Sequence, residues 1–288
     1  MRTTRTLGII LCCSAGLLAQ NSATPSNGRE HAAPVDGRDL LLRSIATAER
    51  SWKAREHYTY TQRDEEKRLD SKGHVKSQDV DVSKVIFVNG AAFEQLVEHN
   101  GGAPTAEDQR RQREKMQKLQ TETPAERADR LSKEKENRAF LREVPDAFDF
   151  KVVAEDEVNG RPAYVLSCTP RPAFHSRTKF GRMFSKVRGK VWVDKQDLGW
   201  VKVDAQVIEP FSMGLFIARV LPGSHIYMEQ TRVADGVWLP KKIQIKAEAK
   251  ILFVKNYDTD EVVTYWDYLP TQATSMASNR PPSGSPLK

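Results

Sequence analysis

The sequence is poor in cysteine and in long apolar runs. Three cysteines occur in 288 residues, and two of them, Cys12 and Cys13, lie in the first apolar segment. Removal of that segment leaves Cys168 alone, which excludes an intramolecular disulfide and favours a small buried side chain at this position. Beyond residues 7–19, no apolar run is long enough for a membrane-spanning helix.

Patterns for catalysis and for metal binding are also absent from the sequence. The six histidines show neither metal-ligand spacing nor a His-Glu-x-x-His motif. Ser224 precedes His225 without the glycines of a nucleophile elbow, and Gly101-Gly102 lacks the Gly-Lys-Thr that completes a phosphate-binding loop. These absences predict a protein that is not an enzyme and holds no metal and no cofactor.

The charge balance is basic, with a formal net charge of +7. This balance suits anionic headgroups or nucleic acid, but a charged, solvated surface is the favoured interpretation. No basic segment carries the base-stacking aromatic residues of a nucleic-acid-binding fold, so nucleic acid is not an expected partner. The length fits one large domain or two small ones, with enough residues for a sizeable core.

The N-terminus predicts export from the cytoplasm. Arg2 and Arg5 precede the apolar run 7–19, which has the length of a signal-peptide core. Cleavage after Ala19 gives a soluble periplasmic protein. A lipid anchor on Cys13 is the less favoured alternative, because the preceding Cys12 is not the small residue that such a site needs. The predicted organisation is a signal peptide (1–19), a disordered lead (20–37), one domain (38–270) and a disordered tail (271–288).

Strict alternation of apolar and polar residues dominates the segment 188–268. Val201, Val203 and Ala205 alternate with Lys202 and Asp204, and the same period of two recurs over residues 243–251. This period is typical of antiparallel strands with one apolar and one solvated face. Turn signals at 197–199, 222–223 and 235–236 separate the runs, so the segment predicts an up-and-down antiparallel sheet.

The first half of the chain predicts one helix and further strands. Residues 38–55 carry Leu41, Leu42, Ile45 and Trp52 at helical spacing, so the Leu and Trp face should pack on the sheet. Strands are then expected from residue 58, over 75–88 and 92–98, over 150–157 and over 163–169. Asn-Gly pairs at 89–90 and 159–160 predict hairpin turns.

Residues 105–148 form a charged insert that is predicted to be helical. Capping boxes are expected at Thr105 with Asp108 and at Thr123 with Glu126, and Pro124 occupies the favoured first helical position. Apolar residues are sparse until the group at 140–148. Two solvated helices in a crossover, anchored at that group, are favoured over a movable lid.

Two further segments are candidates for ligand contact. Residues 174–187 mix phenylalanines with arginines and lysines, which suits a segment that skims a membrane surface, covers an apolar pocket or packs across the sheet as a connecting helix. Residues 211–217 form the most apolar connection in the chain.

Four motifs carry a resemblance to a known group. They are Gly189-Lys-Val-Trp-Val-Asp194, Trp200-Val-Lys-Val-Asp204, Gly236-Val-Trp-Leu-Pro240 and Tyr265-Trp-Asp-Tyr268. In these motifs the chain resembles the outer-membrane lipoprotein-sorting (LolA-like) superfamily. The resemblance implies an α+β, mainly β fold: a curved, unclosed antiparallel β-barrel, or half-barrel, whose concave face is covered by helices. Better-known members of that superfamily carry lipoprotein acyl chains through the periplasm.

Two functions follow as hypotheses. The leading one is a periplasmic carrier or binder of lipid-like ligands such as lipoprotein acyl chains, without catalysis, in contact with a membrane surface at most peripherally. The residues expected at the mouth of its cavity are Phe180, Met183, Phe184, Phe211, Met213, Leu215 and Phe216.

The alternative is an envelope interaction or stress-sensor protein that binds a protein partner through its sheet edge and charged helices. A carrier should keep a cavity between sheet and helices, whereas an interaction protein should fill that space with its own side chains. Ordinary core closure is the competing interpretation for each residue of the predicted mouth.

Overall fold

The computed structural model describes residues 35–178, 180–213, 218–251 and 255–271. The helices are α1 (Gly37–Ala54), α2 (Ala106–Gln120), α3 (Pro124–Asn137) and α4 (Val144–Ala147). The strands are β1 (Tyr58–Leu69), β2 (Val75–Val88), β3 (Ala91–His99), β4 (Phe148–Val158), β5 (Arg161–Pro170), β6 (Val187–Asp194), β7 (Trp200–Val207), β8 (Phe211–Met213), β9 (Ala218–Val220), β10 (His225–Ala234), β11 (Val237–Ala247), β12 (Ala249–Ile251), β13 (Lys255–Asn256) and β14 (Asp258–Pro270). Within these ranges, no helix is both long and apolar enough to cross a membrane.

The larger sheet is antiparallel and does not close. Its ten strands lie in the order β3-β2-β1-β14-β11-β10-β7-β6-β5-β4, so β3 and β4 are its two edges. The predicted mainly β, unclosed half-barrel is therefore confirmed. The order also shows what the sequence did not predict. Strand β1 is interior, because it pairs with the last strand, β14, from Tyr58 opposite Pro270 to Leu69 opposite Asp258.

A second sheet continues four strands of the first. Its order, β13-β12-β9-β8, repeats the order β14-β11-β10-β7 of the larger sheet. A short break separates each strand of the second sheet from the strand that it continues. The breaks are residues 208–210 (β7 and β8), 221–224 (β9 and β10), Glu248 (β11 and β12) and Tyr257 (β13 and β14). Four strands at the centre of the half-barrel therefore extend beyond it after a break in the ladder.

Helix α1 lies across one face of the larger sheet. Asp36 caps its N-terminus by accepting hydrogen bonds from the backbone N–H groups of Arg38 and Asp39. At this end a Cβ on Gly37 would meet the carbonyl oxygen of Phe150 in β4 at 2.9 Å, so the approach requires glycine. Near the other end, Ser51 Oγ accepts a hydrogen bond of 3.0 Å from the backbone N–H of Trp238 in β11. The helix therefore spans the sheet from β4 to β11.

The buried face of α1 is partly polar, which differs from the prediction. Leu41 is buried as expected, but Leu42 is exposed. Ser44, Thr47 and Ser51 are buried instead. Their hydroxyls bond to the sheet: Ser44 Oγ accepts from the indole N–H of Trp200 at 2.7 Å, and Thr47 Oγ1 donates to the carbonyl of Asp197 at 3.1 Å.

The charged insert has the predicted helices. Both capping boxes, Thr105 with Asp108 and Thr123 with Glu126, are present at the starts of α2 and α3. The expected apolar anchor is also confirmed, because Phe140, Leu141 and Val144 are buried in the main core. Since β3 precedes the insert and β4 follows it, the insert connects the two edges of the open sheet.

Asp194 organises the turn between β6 and β7. Its side chain is fully buried (0% exposed) and binds the Arg161 guanidinium through both oxygens, at 2.7 and 2.9 Å. It also accepts hydrogen bonds from the backbone N–H groups of Gln196 and Asp197. Gly199, at the end of the same turn, cannot carry a side chain, because a Cβ there would lie 2.2 Å from the Trp238 indole.

Replacing Asp194 with Asn should destabilise the protein. The change removes the buried carboxylate that binds Arg161 through both oxygens and leaves Arg161 only its longer carboxylate contact of 3.4 Å with Asp197. Breaking a buried pair of this kind costs about 3 kcal/mol of unfolding free energy. Urea denaturation at neutral pH measures it. Asp235→Asn is the matched control, because Asp235 is almost fully exposed and pairs only with Arg232. It should change the free energy by less than about 0.5 kcal/mol. Equal effects of the two substitutions would contradict this role for Asp194.

The effect of Asp194→Asn should also depend on pH. Burial alone would raise the pKa of Asp194, but the hydrogen bonds from Arg161 and from the backbone N–H groups of Asp197 and Gln196 outweigh it, so the pKa is lowered. A lowered folded-state pKa stabilises the protein above the unfolded value of about 3.9, and this stabilisation is lost as the pH falls through the folded value. The difference between wild type and variant should therefore shrink in acid. A difference that stays constant from neutral pH into the acid range would refute the expectation.

Candidate functional site

The predicted mouth residues fall into two groups. Met183 and Phe184 are buried in the main core, with 5% and 2% of their surfaces exposed, and Phe180 and Phe211 pack against the same core. The structure therefore brings these four side chains to one apolar cluster. The backbone of Met213 ends β8, whereas the Met213 side chain, Leu215 and Phe216 lie outside the described residues.

The apolar cluster under α1 and α4 is filled by the protein's own side chains. The ring of Phe184 lies 5.3 Å from that of Phe148 and 6.0 Å from that of Phe140. Leu40 and Leu41 of α1 close the cluster from above. Between α1 and this part of the sheet, the described side chains therefore pack against one another.

The segment 174–187 packs on the protein as a connecting element. Residues Gly181–Lys186 form a 3₁₀ helix that carries the buried Met183 and Phe184. Glu143 holds the preceding loop by accepting hydrogen bonds of 3.0 Å from the Arg177 backbone N–H and from the Thr178 hydroxyl. Of the three interpretations of this segment, the connecting helix packed across the sheet is the one that the structure shows.

The second sheet combines apolar sequence with basic side chains. Ile251 pairs with both Ala218 and Lys255, so the end of β12, the start of β9 and the start of β13 lie together. At these positions the sequence becomes entirely apolar apart from Gly214, with Gly-Leu-Phe-Ile after β8 and Leu-Phe-Val after β12. One residue away, exposed Arg219 and Lys250 are cross-strand partners.

On the helix-covered face of the larger sheet, strands β1 and β14 carry a cluster of tyrosines. Tyr60 contacts Tyr265 and Tyr268, with ring centroids 6.0 and 5.0 Å apart. Burial raises the pKa of Tyr60 to about 12, with a further contribution from Glu94. Burial also raises the pKa of Tyr265 and of Tyr268. The three phenols are therefore neutral at physiological pH, and this half of the face adds aromatic and polar side chains to aliphatic ones such as Val85.

Trp52 attaches the helical insert to α1. The Arg55 guanidinium lies 3.4 Å from the centre of the Trp52 ring, and Arg138, which ends α3, lies 3.9 Å from it. Burial lowers the pKa of both arginines, and Glu134 beside Arg55 and Glu49 beside Arg138 partly offset this effect. The insert is therefore held at this cation–π stack as well as at the apolar group that the sequence predicted.

A groove of about 770 Å³ lies between edge strand β3 and helix α2. Gln112 crosses it, donating a hydrogen bond of 3.3 Å from its side-chain amide to the carbonyl of Leu96. The groove is lined by Phe93, Gln95, Leu96, Val97, Pro104, Gln109, Gln112, Arg113, Met116, Gln117 and Gln120.

His225 and Ser224 are adjacent in sequence but bond to different partners. His225 Nε2 lies 2.7 Å from Asp204 Oδ1, but the adjacent Ser224 hydroxyl donates to the carbonyl of Glu248 and accepts from its N–H. Cys168 is buried in the core, as expected for a small apolar side chain. Across the described ranges, no group of three or more His, Cys, Asp or Glu side chains could hold a metal ion.

Sequence reasoning missed three of these features: the stack around Trp52, the tyrosine cluster and the groove beside β3. A local signal existed for the groove alone. Gln109, Gln112, Arg113, Met116, Gln117 and Gln120 recur every three or four residues and so share one face of α2. The stack and the tyrosine cluster join segments far apart in sequence, and no local pattern predicts them.

No family model matches the sequence, and no curated protein matches it. Solved structures do match. A LolA superfamily protein from Nitrosomonas europaea is 13% identical, with a TM-score of 0.31 and coverage of 81% of this chain and 93% of that chain. An outer membrane lipoprotein-sorting protein domain from Vibrio parahaemolyticus is 11% identical, with a TM-score of 0.30 and coverage of 82% and 95%. A DUF1329 family protein from Desulfovibrio piger is 11% identical, with a TM-score of 0.29 and coverage of 84% and 96%.

Two of these three structures come from the superfamily that the sequence motifs resemble. Because the identities do not exceed 13% and the TM-scores do not exceed 0.31, they carry no argument about ligand or partner. The fold described above rests on the strand order of this chain.

Replacing Trp52 with Leu should loosen the insert without unfolding the sheet. Two cation–π contacts are lost, each worth about 0.5–2 kcal/mol, so amides of α3 should exchange at least about tenfold faster. Hydrogen exchange followed by mass spectrometry measures this change. Lys133→Ala on the exposed face of α3 is the control and should leave exchange unchanged. Faster exchange throughout the larger sheet would show that Trp52 supports the whole domain instead.

Proposed function

We propose that this protein is a non-catalytic binder of lipid-like ligands in the bacterial periplasm, and that the ligand is an acyl chain of an envelope lipid or lipoprotein. Export is supported by the sequence of the first nineteen residues, with Arg2 and Arg5 ahead of an apolar run.

One observation carries the proposal: the strands that continue from the half-barrel into the second sheet lead to two apolar sequences. Strand pairing brings the ends of β9, β12 and β13 together through Ile251. The sequences that adjoin these ends contain Leu215 and Phe216 in one case and Leu252 and Phe253 in the other. Two apolar sequences at one end of a sheet suit contact with hydrocarbon, where each buried methylene contributes about 0.8 kcal/mol.

The charges near these sequences suit the headgroup of a lipid. Arg219 and Lys250 are exposed cross-strand partners, one residue from the apolar sequences. A basic residue close to an anionic lipid surface contributes about 1 kcal/mol of attraction. We therefore propose that hydrocarbon contacts the apolar sequences while the headgroup lies beside Arg219 and Lys250.

The filled core determines where the ligand would bind. Because Met183 and Phe184 are buried among other side chains, we do not place the acyl chain beneath α1. Phe211 packs against that core and also begins β8. In this proposal Phe180, Met183 and Phe184 support the site from below, and Phe211, Met213, Leu215 and Phe216 contact the ligand.

A second candidate function is the binding of a protein partner. The observation that favours it is the groove between β3 and α2, which lies apart from the second sheet and joins the sheet edge to a charged helix. It does not require an acyl ligand.

Lipid binding should be lost when charge enters the apolar sequences. Native mass spectrometry of the full chain purified from an envelope fraction, followed by lipid extraction, should reveal a copurifying acyl ligand. Phe216→Asp should lower its occupancy at least about tenfold, because a buried phenylalanine contributes about 1.5–3 kcal/mol. Val153→Asp is the matched control: it adds the same charge at an exposed apolar position of edge strand β4, outside the second sheet, and should retain the ligand.

Two results would count against lipid binding. One is a folded protein that carries no lipid and takes up none from added phosphatidylglycerol vesicles. The other is an equal loss of ligand in both aspartate variants, since this would show a general effect of charge.

A further inference from the structure

The groove between β3 and α2 has two kinds of lining. Its apolar side chains are Phe93, Leu96, Val97, Pro104 and Met116. Val97 lies in strand β3, and 38% of its surface is exposed. The remaining lining residues are five glutamines and Arg113, so apolar and hydrogen-bonding surface alternate along the groove.

The glutamines make this groove unlike a site for hydrocarbon. A glutamine side chain carries a carbonyl acceptor and an N–H donor, which are the two groups of a peptide backbone. Gln112 already shows such a contact, because its amide donates to the backbone carbonyl of Leu96. Gln109 shows another, because its amide donates to the carbonyl of Pro104 at 3.0 Å. Gln117 and Gln120 are exposed on the same face of α2, and Gln95 is exposed on β3. An acyl chain would leave these groups without partners, whereas an extended peptide would satisfy them.

Strand β3 gives the groove a direction. It is an edge strand and pairs with β2 alone among the described strands. An extended chain that lies along such an edge presents alternate side chains to it, so apolar residues at every second position would meet the apolar lining of the groove, which includes Phe93 and Leu96. Val97, at the bulge between Leu96 and Glu98, marks the end of the regular part of this edge.

The charge of the groove is uncompensated. None of its lining residues is acidic, and Arg113 forms no ion pair with any described residue. Its neighbours on α2 differ, since Arg110 and Arg111 both pair with Glu107. Lys84, the cross-strand partner of Gln95, is exposed and also outside the ion pairs of the described residues. An occupant with a carboxylate near Arg113 complements this surface.

We propose that the groove between β3 and α2 binds an extended acidic segment of a partner protein, with apolar side chains at alternate positions and a carboxylate against Arg113. This proposal rests on the second candidate function, protein binding, and gives the chemistry of the partner. It is independent of the lipid site, because Phe216 and the second sheet take no part in it.

Selection from a displayed library of random dodecapeptides tests the proposal. The immobilised full chain should enrich peptides that are acidic and alternate in apolar residues, and the synthesised peptides should bind in fluorescence anisotropy. Arg113→Glu should weaken binding at least about tenfold through like-charge repulsion, and Val97→Asp should act similarly because it adds the same charge in place of an apolar contact. Arg111→Glu is the matched control, because it reverses the same charge on the same helix outside the groove lining.

The outcomes separate the alternatives. Peptide binding that survives in Phe216→Asp, while lipid is lost, would support the two sites as independent. The proposal is overturned if no peptide is enriched, or if Arg111→Glu weakens binding as much as Arg113→Glu. It is also overturned if light scattering finds a dimer that Arg113→Glu dissociates, since the occupant would then be a second copy of this chain. The variants at Val97, Arg111 and Arg113 alter exposed side chains, so unchanged thermal unfolding should verify that they fold.

Discussion

The open antiparallel sheet is the constraint on which the rest of the structure depends. A sheet that does not close has two edges with unpaired backbone groups and one apolar face that must be covered. Here the edge at β4 carries a bulge near Val153 and a run of acidic residues, both of which discourage pairing with another chain. The edge at β3 lies beside α2. The charged insert connects the two edges, so a segment that looks like a surface excursion in the sequence links the sides of the half-barrel.

The covered face is divided by chemistry. Between β4 and β11, α1 and the phenylalanines around Phe184 fill it, and the helix adds hydrogen bonds through Ser44, Thr47 and Ser51. Across β14 and β1 the same face carries tyrosines whose pKa values burial raises. The hydrogen bond between the Ser44 hydroxyl and the Trp200 indole N–H fixes the position of the helix on the sheet. An apolar contact alone would fix this position less specifically. The polar stripe of α1 therefore explains why this helix crosses the sheet in one position.

Two surfaces remain for binding, and they differ in physical character. The second sheet pairs apolar sequence with Arg219 and Lys250, a combination suited to hydrocarbon and an anionic headgroup. The groove beside β3 combines apolar side chains with glutamine amides and with Arg113, which forms no ion pair with a described residue. This combination suits a peptide backbone. They lie on different elements, so each proposed function can be tested with the other intact.

The sequence by itself determined the local elements, because their signals are carried by neighbouring residues. Capping boxes fixed the starts of α2 and α3, Asn-Gly pairs fixed the turns at 89–90 and 159–160, where both residues have positive φ, and a period of two located the strands. Tertiary structure alone decided that β1 joins β14, that four strands continue into a second sheet, and that Trp52 lies between two arginines. These features depend on which distant segments meet, and that choice follows from how the whole chain buries its apolar surface and satisfies its polar groups. For the same reason the predicted mouth residues Met183 and Phe184 could be recognised as apolar, but only packing decided that they lie in the core.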